Sequence, residues 1–130
     1  MLFRSAGALQ ISNGEILDKL TILHLKLAFI SDKKKLVNVR KEADELNPIA
    51  TDMFQEYGKD LRELYEELAE INYKLWYIED WIRDFEKRKC FGEDFVEIAR
   101  SVYITNDKRS EVKKKINILT NSDLVEEKSY

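Results

Sequence analysis

Two stretches of the chain put charged and amide side chains where helical spacing asks for apolar ones. In the first, Asn72, Trp76, Glu79 and Arg83 recur at steps of three and four residues and share one flank of a helix. In the second, Phe95, Ile98, Ala99 and Val102 define an inward face, and Asn106, Arg109, Lys113 and Asn117 continue the same line. Burying such groups without partners costs several kcal/mol, so they call for carboxylates, a ligand or water. A third set, Glu15, Asp18 and Lys19, lies at the start of another helical stretch. The chemistry these types could do together is anion recognition. Arg83, Arg109 and Lys113 would hold a phosphate or carboxylate, because a planar guanidinium matches an oxyanion with two parallel donors, and Glu15 or Glu79 would orient it.

Each set also has a plainer explanation. Glu79 and Arg83 form an i, i+4 surface pair worth a few tenths of a kcal/mol. Glu15 is a capping acid with Lys19 as its i, i+4 neighbour. The last helix breaks at Asn106, which then caps a segment whose apolar residues are Val112, Ile116 and Leu119. His24, beside an apolar seam with no acid or nucleophile at useful spacing, reads as a packed or half-exposed histidine. Trp76 and Trp81 flank a seam and read as core or interface rather than as stacking platforms.

The elements that must position these groups follow from the apolar spacing. Phe54, Tyr57, Leu61, Leu64, Leu68, Ile71, Leu75, Ile78, Ile82 and Phe85 alternate three- and four-residue steps, the pattern of a coiled-coil seam. A helix of that extent would reach about 48 Å, whereas a compact chain of this length has a radius of gyration of about 14 Å. The helix should therefore overhang its own globule, and a homodimer through this seam is expected. Ser12 with Glu15 forms a capping box, stapled by Ile11 and Ile16. The helix it starts, from about 13 to 30, is apolar on two sides: Ile16, Leu20, Leu23, Leu27 and Ile30 on one, Ile22, Leu25 and Phe29 on another. Such a helix is sandwiched between others.

Ser31 can cap a short peripheral helix of about 32–46, ended by Asn47 and Pro48. The long helix then covers about 50–89, with Gly58 as an irregularity costing about 1 kcal/mol relative to alanine, and a last helix covers about 94–120. Residues 1–10 are expected to be a short extended lead-in. The expected fold is a single all-α domain, a helical bundle built on the long helix.

Composition narrows the function classes. The 130 residues are 44% hydrophobic, enough for one core, and carry one proline and four glycines, too few for a turn-rich β fold. With 22 basic against 25 acidic residues, nucleic acid is not an expected partner, since phosphate neutralisation dominates that binding. The clusters 33–35, 87–89 and 113–115 read as solvated helix surface. A lone cysteine, Cys90, suits a reducing compartment and has no zinc-ligand spacing around it. No stretch has the length and apolarity of a signal sequence or membrane span. A cytoplasmic protein without membrane association is expected, and no metal or cofactor.

The stretches Gly14-Glu15-Ile16-Leu17-Asp18-Lys19, Leu75-Trp76-Tyr77-Ile78-Glu79-Asp80-Trp81-Ile82-Arg83, Val102-Tyr103-Ile104-Thr105-Asn106-Asp107-Lys108-Arg109 and Leu124-Val125-Glu126-Glu127-Lys128-Ser129-Tyr130 carry a resemblance. Together they resemble the signature of an uncharacterised family of small all-helical bacterial and phage proteins, a domain of unknown function. The resemblance implies no assigned activity. Some members appear near sugar-nucleotide and glycosyltransferase functions, which is association rather than mechanism. The residues before Ile11 depart from the family's usual start. The tail motif lacks helical period, so Glu126, Glu127 and Lys128 either fold back across the bundle or fray.

Three functions remain open. The first is a binding module whose groove holds a small anion through Glu15, Asp18, Lys19, Glu79, Arg83, Asn106, Arg109 and Lys113. The second is a structural or adaptor dimer whose polar groups merely fix helix register. The third is a Mg²⁺-dependent enzyme of the all-helical nucleotide pyrophosphatase type. Its Glu-x-x-Glu pattern occurs as Glu63/Glu66 and Glu67/Glu70, but on the charged outer surface of the seam helix, with no Glu-x-x-Asp on the next one.

Overall fold

The computed structural model describes residues 3–6 and 9–121, with side chains from Ile11 onward. The 124–130 tail lies outside the described residues. The chain runs β1 (Phe3–Ala6), β2 (Leu9–Ser12), α1 (Asn13–Phe29), α2 (Lys33–Arg88) and α3 (Glu93–Leu119). The extended lead-in is thus an antiparallel strand pair with Phe3 opposite Ser12, and the rest is a helical bundle.

Local signals explain most helix ends. The Ser12 hydroxyl accepts from the Glu15 backbone N–H at 3.2 Å, half of the expected capping box. The cap of α2 is Asp32 rather than Ser31: its Oδ1 accepts from the N–H groups of Lys34 and Lys35. Lys89, with φ of 55°, ends α2 in the left-handed region.

The expected break at Asn47 and Pro48 is absent, because α2 runs through Pro48. Asp44, four residues earlier, is on the exposed side together with Pro48, so a carbonyl deprived of its N–H partner has water within reach. The Thr51 hydroxyl donates to the Asn47 carbonyl at 2.9 Å, holding the following turn. The break falls instead at Gly58, whose φ of 59° and ψ of −135° suit only glycine. There the chain doubles back. The rings of Phe54 and Tyr65 meet at 5.2 Å, although eleven residues of unbroken helix would separate them by about 16 Å. Lys19 pairs with Glu42 while its neighbour Asp18 bonds Asn72; on a straight helix those partners would be about 45 Å apart. In effect α2 is a helical hairpin with arms 33–57 and 59–88.

The first arm is no peripheral element, since Val39, Ala43, Ala50 and Met53 are buried in the core with Ile16, Leu17, Leu20 and Leu23 of α1 and Leu61 and Leu68 of the second arm. Val112 and Ile116 of α3 complete this core. The seam that begins at Phe54 is therefore largely consumed within one chain: Leu61, Leu68 and Ile78 are buried, and Phe54, Tyr57, Leu64 and Ile71 are packed against the core. The overhang is real nonetheless. Beyond Ile78 the second arm of α2 leaves the core paired with the first half of α3, and no residue from 79 to 104 is buried. No helix among the described residues is long and apolar enough to cross a membrane.

Candidate functional site

The site rests on the junction of α1 with α3. At Gly14 the two backbones approach so closely that a Cβ would lie 2.6 Å from the Lys113 carbonyl oxygen. The Gly14 N–H donates to Asn117 Oδ1 at 2.7 Å, and Asn13 Nδ2 donates to the Thr120 hydroxyl at 3.0 Å. Tyr57 extends this clamp to the first arm of α2 by donating to the Thr120 carbonyl at 3.1 Å. These contacts fix the register in which α1 presents its next turn.

That turn carries Asp18, only 2% exposed. Arg109 grips it with two donors, Nε to Oδ1 at 2.9 Å and Nη2 to Oδ2 at 2.5 Å. Asn72 donates from Nδ2 to Asp18 Oδ1 at 2.9 Å and to the Thr21 hydroxyl at 2.6 Å, and Thr21 donates to the Asp18 carbonyl at 2.7 Å. Lys113 Nζ lies 4.0 Å from Asp18 Oδ2 and pairs with Glu15. Among the described residues, two carboxylates and two cations thus meet where α1, α2 and α3 join. Burying a charge costs several kcal/mol, and a two-donor Arg–carboxylate pair with further hydrogen bonds is the geometry that offsets it.

Above this network opens a cleft of about 290 Å³ lined by Asn72, Glu79, Arg83, Asn106 and Arg109, with Ile22, Leu25, Leu75 and Trp76 as its apolar wall. Arg109 forms part of the floor with 28% of its side chain exposed, and its Nη1 donates to Asn106 Oδ1 at 3.4 Å. The presence of Asn106 here follows from the continuity of α3 through 105–107. Arg83 does not pair with Glu79; it reaches Asp80 at 3.2 Å, and 71% of its side chain is exposed. Trp76 is held by a stacked contact with Phe29, 5.6 Å between centroids.

Four of the eight expected residues, Glu79, Arg83, Asn106 and Arg109, therefore meet at one cleft. Asp18 lies beneath it, gripped by Arg109. Glu15 and Lys113 pair with each other at the side of Asp18. Lys19 is elsewhere, paired with Glu42 across the surface of the first α2 arm. Asn72 was not among the expected site residues, although a signal existed: it continues the row of Leu61, Leu64 and Leu68 as a polar group in a core position. His24 is exposed, with Nδ1 3.4 Å from the Tyr65 hydroxyl, and burial pushes the Tyr65 phenol up to about 12. Glu63, Glu66, Glu67 and Glu70 are all exposed, and no group of three or more His, Cys, Asp or Glu side chains among the described residues is placed to hold a metal ion.

A family model described as "Family of unknown function (DUF6165)" matches residues 8–130. The chain belongs to that family. The DUF6165 match includes every residue of the cleft and of the network below it, and it begins before Ile11, so β2 is part of the family's extent. Neither the curated proteins nor the solved structures hold a match to the chain.

Proposed function

We propose that this DUF6165 protein is a binding module for a small ligand bearing a phosphate or carboxylate, seated in the cleft between α1, the second arm of α2 and α3. One observation carries the reading: two arginines, two amides and a carboxylate from separate helices converge on a single apolar-walled cleft. A few convergent polar groups against an apolar wall is the usual composition of a small-molecule site. Arg83 is the primary anion ligand. Its pair with Asp80 is exposed, and such pairs are worth at most about 1 kcal/mol, so an incoming anion displaces it at little cost. Arg109 is prepositioned by Asp18 and lines the cleft floor. Glu79, for which no hydrogen bond or ion pair is present among the described residues, accepts from a ligand hydroxyl or amine. The volume lies at the lower edge of the usual range of about 300–1,000 Å³, which favours a compact ligand such as a sugar phosphate or a phosphorylated acid over a dinucleotide. The exposed Cys90 suits action in the reducing cytoplasm.

A thermal-shift screen of sugar phosphates, nucleotides, nucleotide sugars and small carboxylates, each with and without Mg²⁺, tests this. A ligand at a hundred times its dissociation constant adds about 2.7 kcal/mol of stability. The expected result is a shift that Arg83→Ala abolishes and that does not need Mg²⁺. A flat screen removes the reading and leaves the adaptor function; a shift that requires Mg²⁺ turns it towards the enzyme.

A further inference from the structure

The overhanging pair formed by 79–88 of α2 and 93–104 of α3 has no buried residue, yet it displays large apolar side chains. Trp81 and Ile104 are 53% and 45% exposed, and Tyr77, just before the overhang, is 42% exposed. Isolated helices of this length are marginal in water, and their stability in proteins comes from packing an apolar face. The apolar groups lie on the flank opposite to Glu79 and Arg83, so this surface is distinct from the cleft. It is grooved: one hollow of about 440 Å³ runs between Trp81 and Arg88 on α2 and Asp94 and Ile98 on α3. A second, of about 760 Å³, adjoins it along the outside of α3 through Ser101 and Ile104.

The order of side chains along this flank names the occupant. On α2, the three- and four-residue steps run Glu70, Lys74, Tyr77, Trp81, Asp84, Arg88. The series is symmetric about position 79: Tyr77 mirrors Trp81, Lys74 mirrors Asp84 and Glu70 mirrors Arg88, so each charge mirrors its opposite. On α3, Asp94, Ile98, Ser101, Ile104 and Lys108 are symmetric about Ser101, again with opposite charges at the ends, and Glu97, which lines both hollows, stands beside this row without a charged mirror. The two centres lie level with each other, because the contact of Phe85 with Phe95, 6.1 Å between centroids, sets the antiparallel register that brings 79 beside 101.

We infer that this flank binds a second copy of the chain, related by a two-fold axis passing near 79 and Ser101. Helix α2 lies antiparallel on its counterpart and α3 on its own, forming a four-helix bundle from two hairpins. Tyr77 then meets Trp81 of the other copy, Ile98 meets Ile104, and Lys74 and Lys108 face Asp84 and Asp94. An isologous interface requires a self-complementary patch, and a charge order that reverses about its own centre satisfies that requirement in one register. The inference stands independently of the cleft.

Sedimentation equilibrium of the full chain tests it with two charge-reversed variants, Lys74→Glu/Lys108→Glu and Asp84→Lys/Asp94→Lys. All four sites are exposed, and far-ultraviolet circular dichroism confirms that each variant keeps its helices. The wild type is expected to be a dimer in the micromolar range, with each variant alone weaker by on the order of tenfold or more, since like charges then oppose each other. An equimolar mixture of the two is expected to recover dimerisation as a heterodimer. A monomeric wild type overturns the inference. So do variants that dimerise as tightly as the wild type, or a mixture that stays monomeric.

Discussion

Replacing Asp18 by alanine removes the carboxylate on which α1, α2 and α3 converge. The Asp18 side chain is 3% exposed, and it takes two donors from Arg109 and one from Asn72. Of the two neighbouring cations, Lys113 also pairs with Glu15, and Arg109 also donates to Asn106. Removing one partner of a buried, hydrogen-bonded ion pair costs about 3–5 kcal/mol. A domain holds only about 5–15 kcal/mol in total, so Asp18→Ala should lower the thermal midpoint by roughly 10–20 °C. Arg109→Met removes the charge while keeping an unbranched side chain. Added to Asp18→Ala, it should cost less than additivity requires, with a coupling of about 2 kcal/mol. Urea denaturation followed by circular dichroism measures all four corners of the cycle. Additive costs, or an Asp18→Ala loss below about 1 kcal/mol, would refute the view that this pair holds the junction.

Gly58→Ala separates two readings by sign. In a helix interior it would stabilise by about 1 kcal/mol, but at φ of 59° and ψ of −135° it should destabilise by about 1–3 kcal/mol, with nothing near the added methyl to blame. Gly14→Ala should cost about 1–3 kcal/mol by overpacking, because its methyl would meet the Lys113 carbonyl; chemical denaturation reads both. Tyr65 should be among the last tyrosines to ionise in an alkaline titration followed by tyrosinate absorbance, and Tyr65→Phe should remove a late step. Its folded value of about 12 lies above the ordinary 10.0, so its contribution to stability is complete below pH 10 and is lost as pH rises towards 12.

Much of this arrangement was legible in the chain. The Ser12 cap, the doubly apolar α1, the line from Phe95 through Asn117 and the flank of Asn72, Glu79 and Arg83 follow from helical spacing, and where these stripes reach the three-helix junction, at Ile16, Leu20, Leu23, Asn72, Lys113 and Asn117, they are buried. What spacing could not reveal is where a helix turns back. Pro48 looks like a stop but is tolerated on an exposed face, and Gly58 looks like a mild helical defect but takes a backbone conformation closed to other residues. That turn also decides partners. It brings Leu61 and Leu68 onto α1, so the seam closes within the chain. It likewise separates Lys19, paired with Glu42, from Asp18, paired with Arg109. Neighbours in sequence thus face different helices, and only tertiary structure distinguishes the residue beneath the cleft from the one outside it.

The binding claim is tested most directly by the thermal midpoints of the wild type, Arg83→Ala and Lys19→Ala across the panel of phosphates and carboxylates. Lys19 lies outside the cleft and serves as a control for lost surface charge. At least one compound should raise the midpoint of the wild type and of Lys19→Ala by several degrees and leave Arg83→Ala unmoved. A panel that raises none of the three, or raises all three alike, would contradict it.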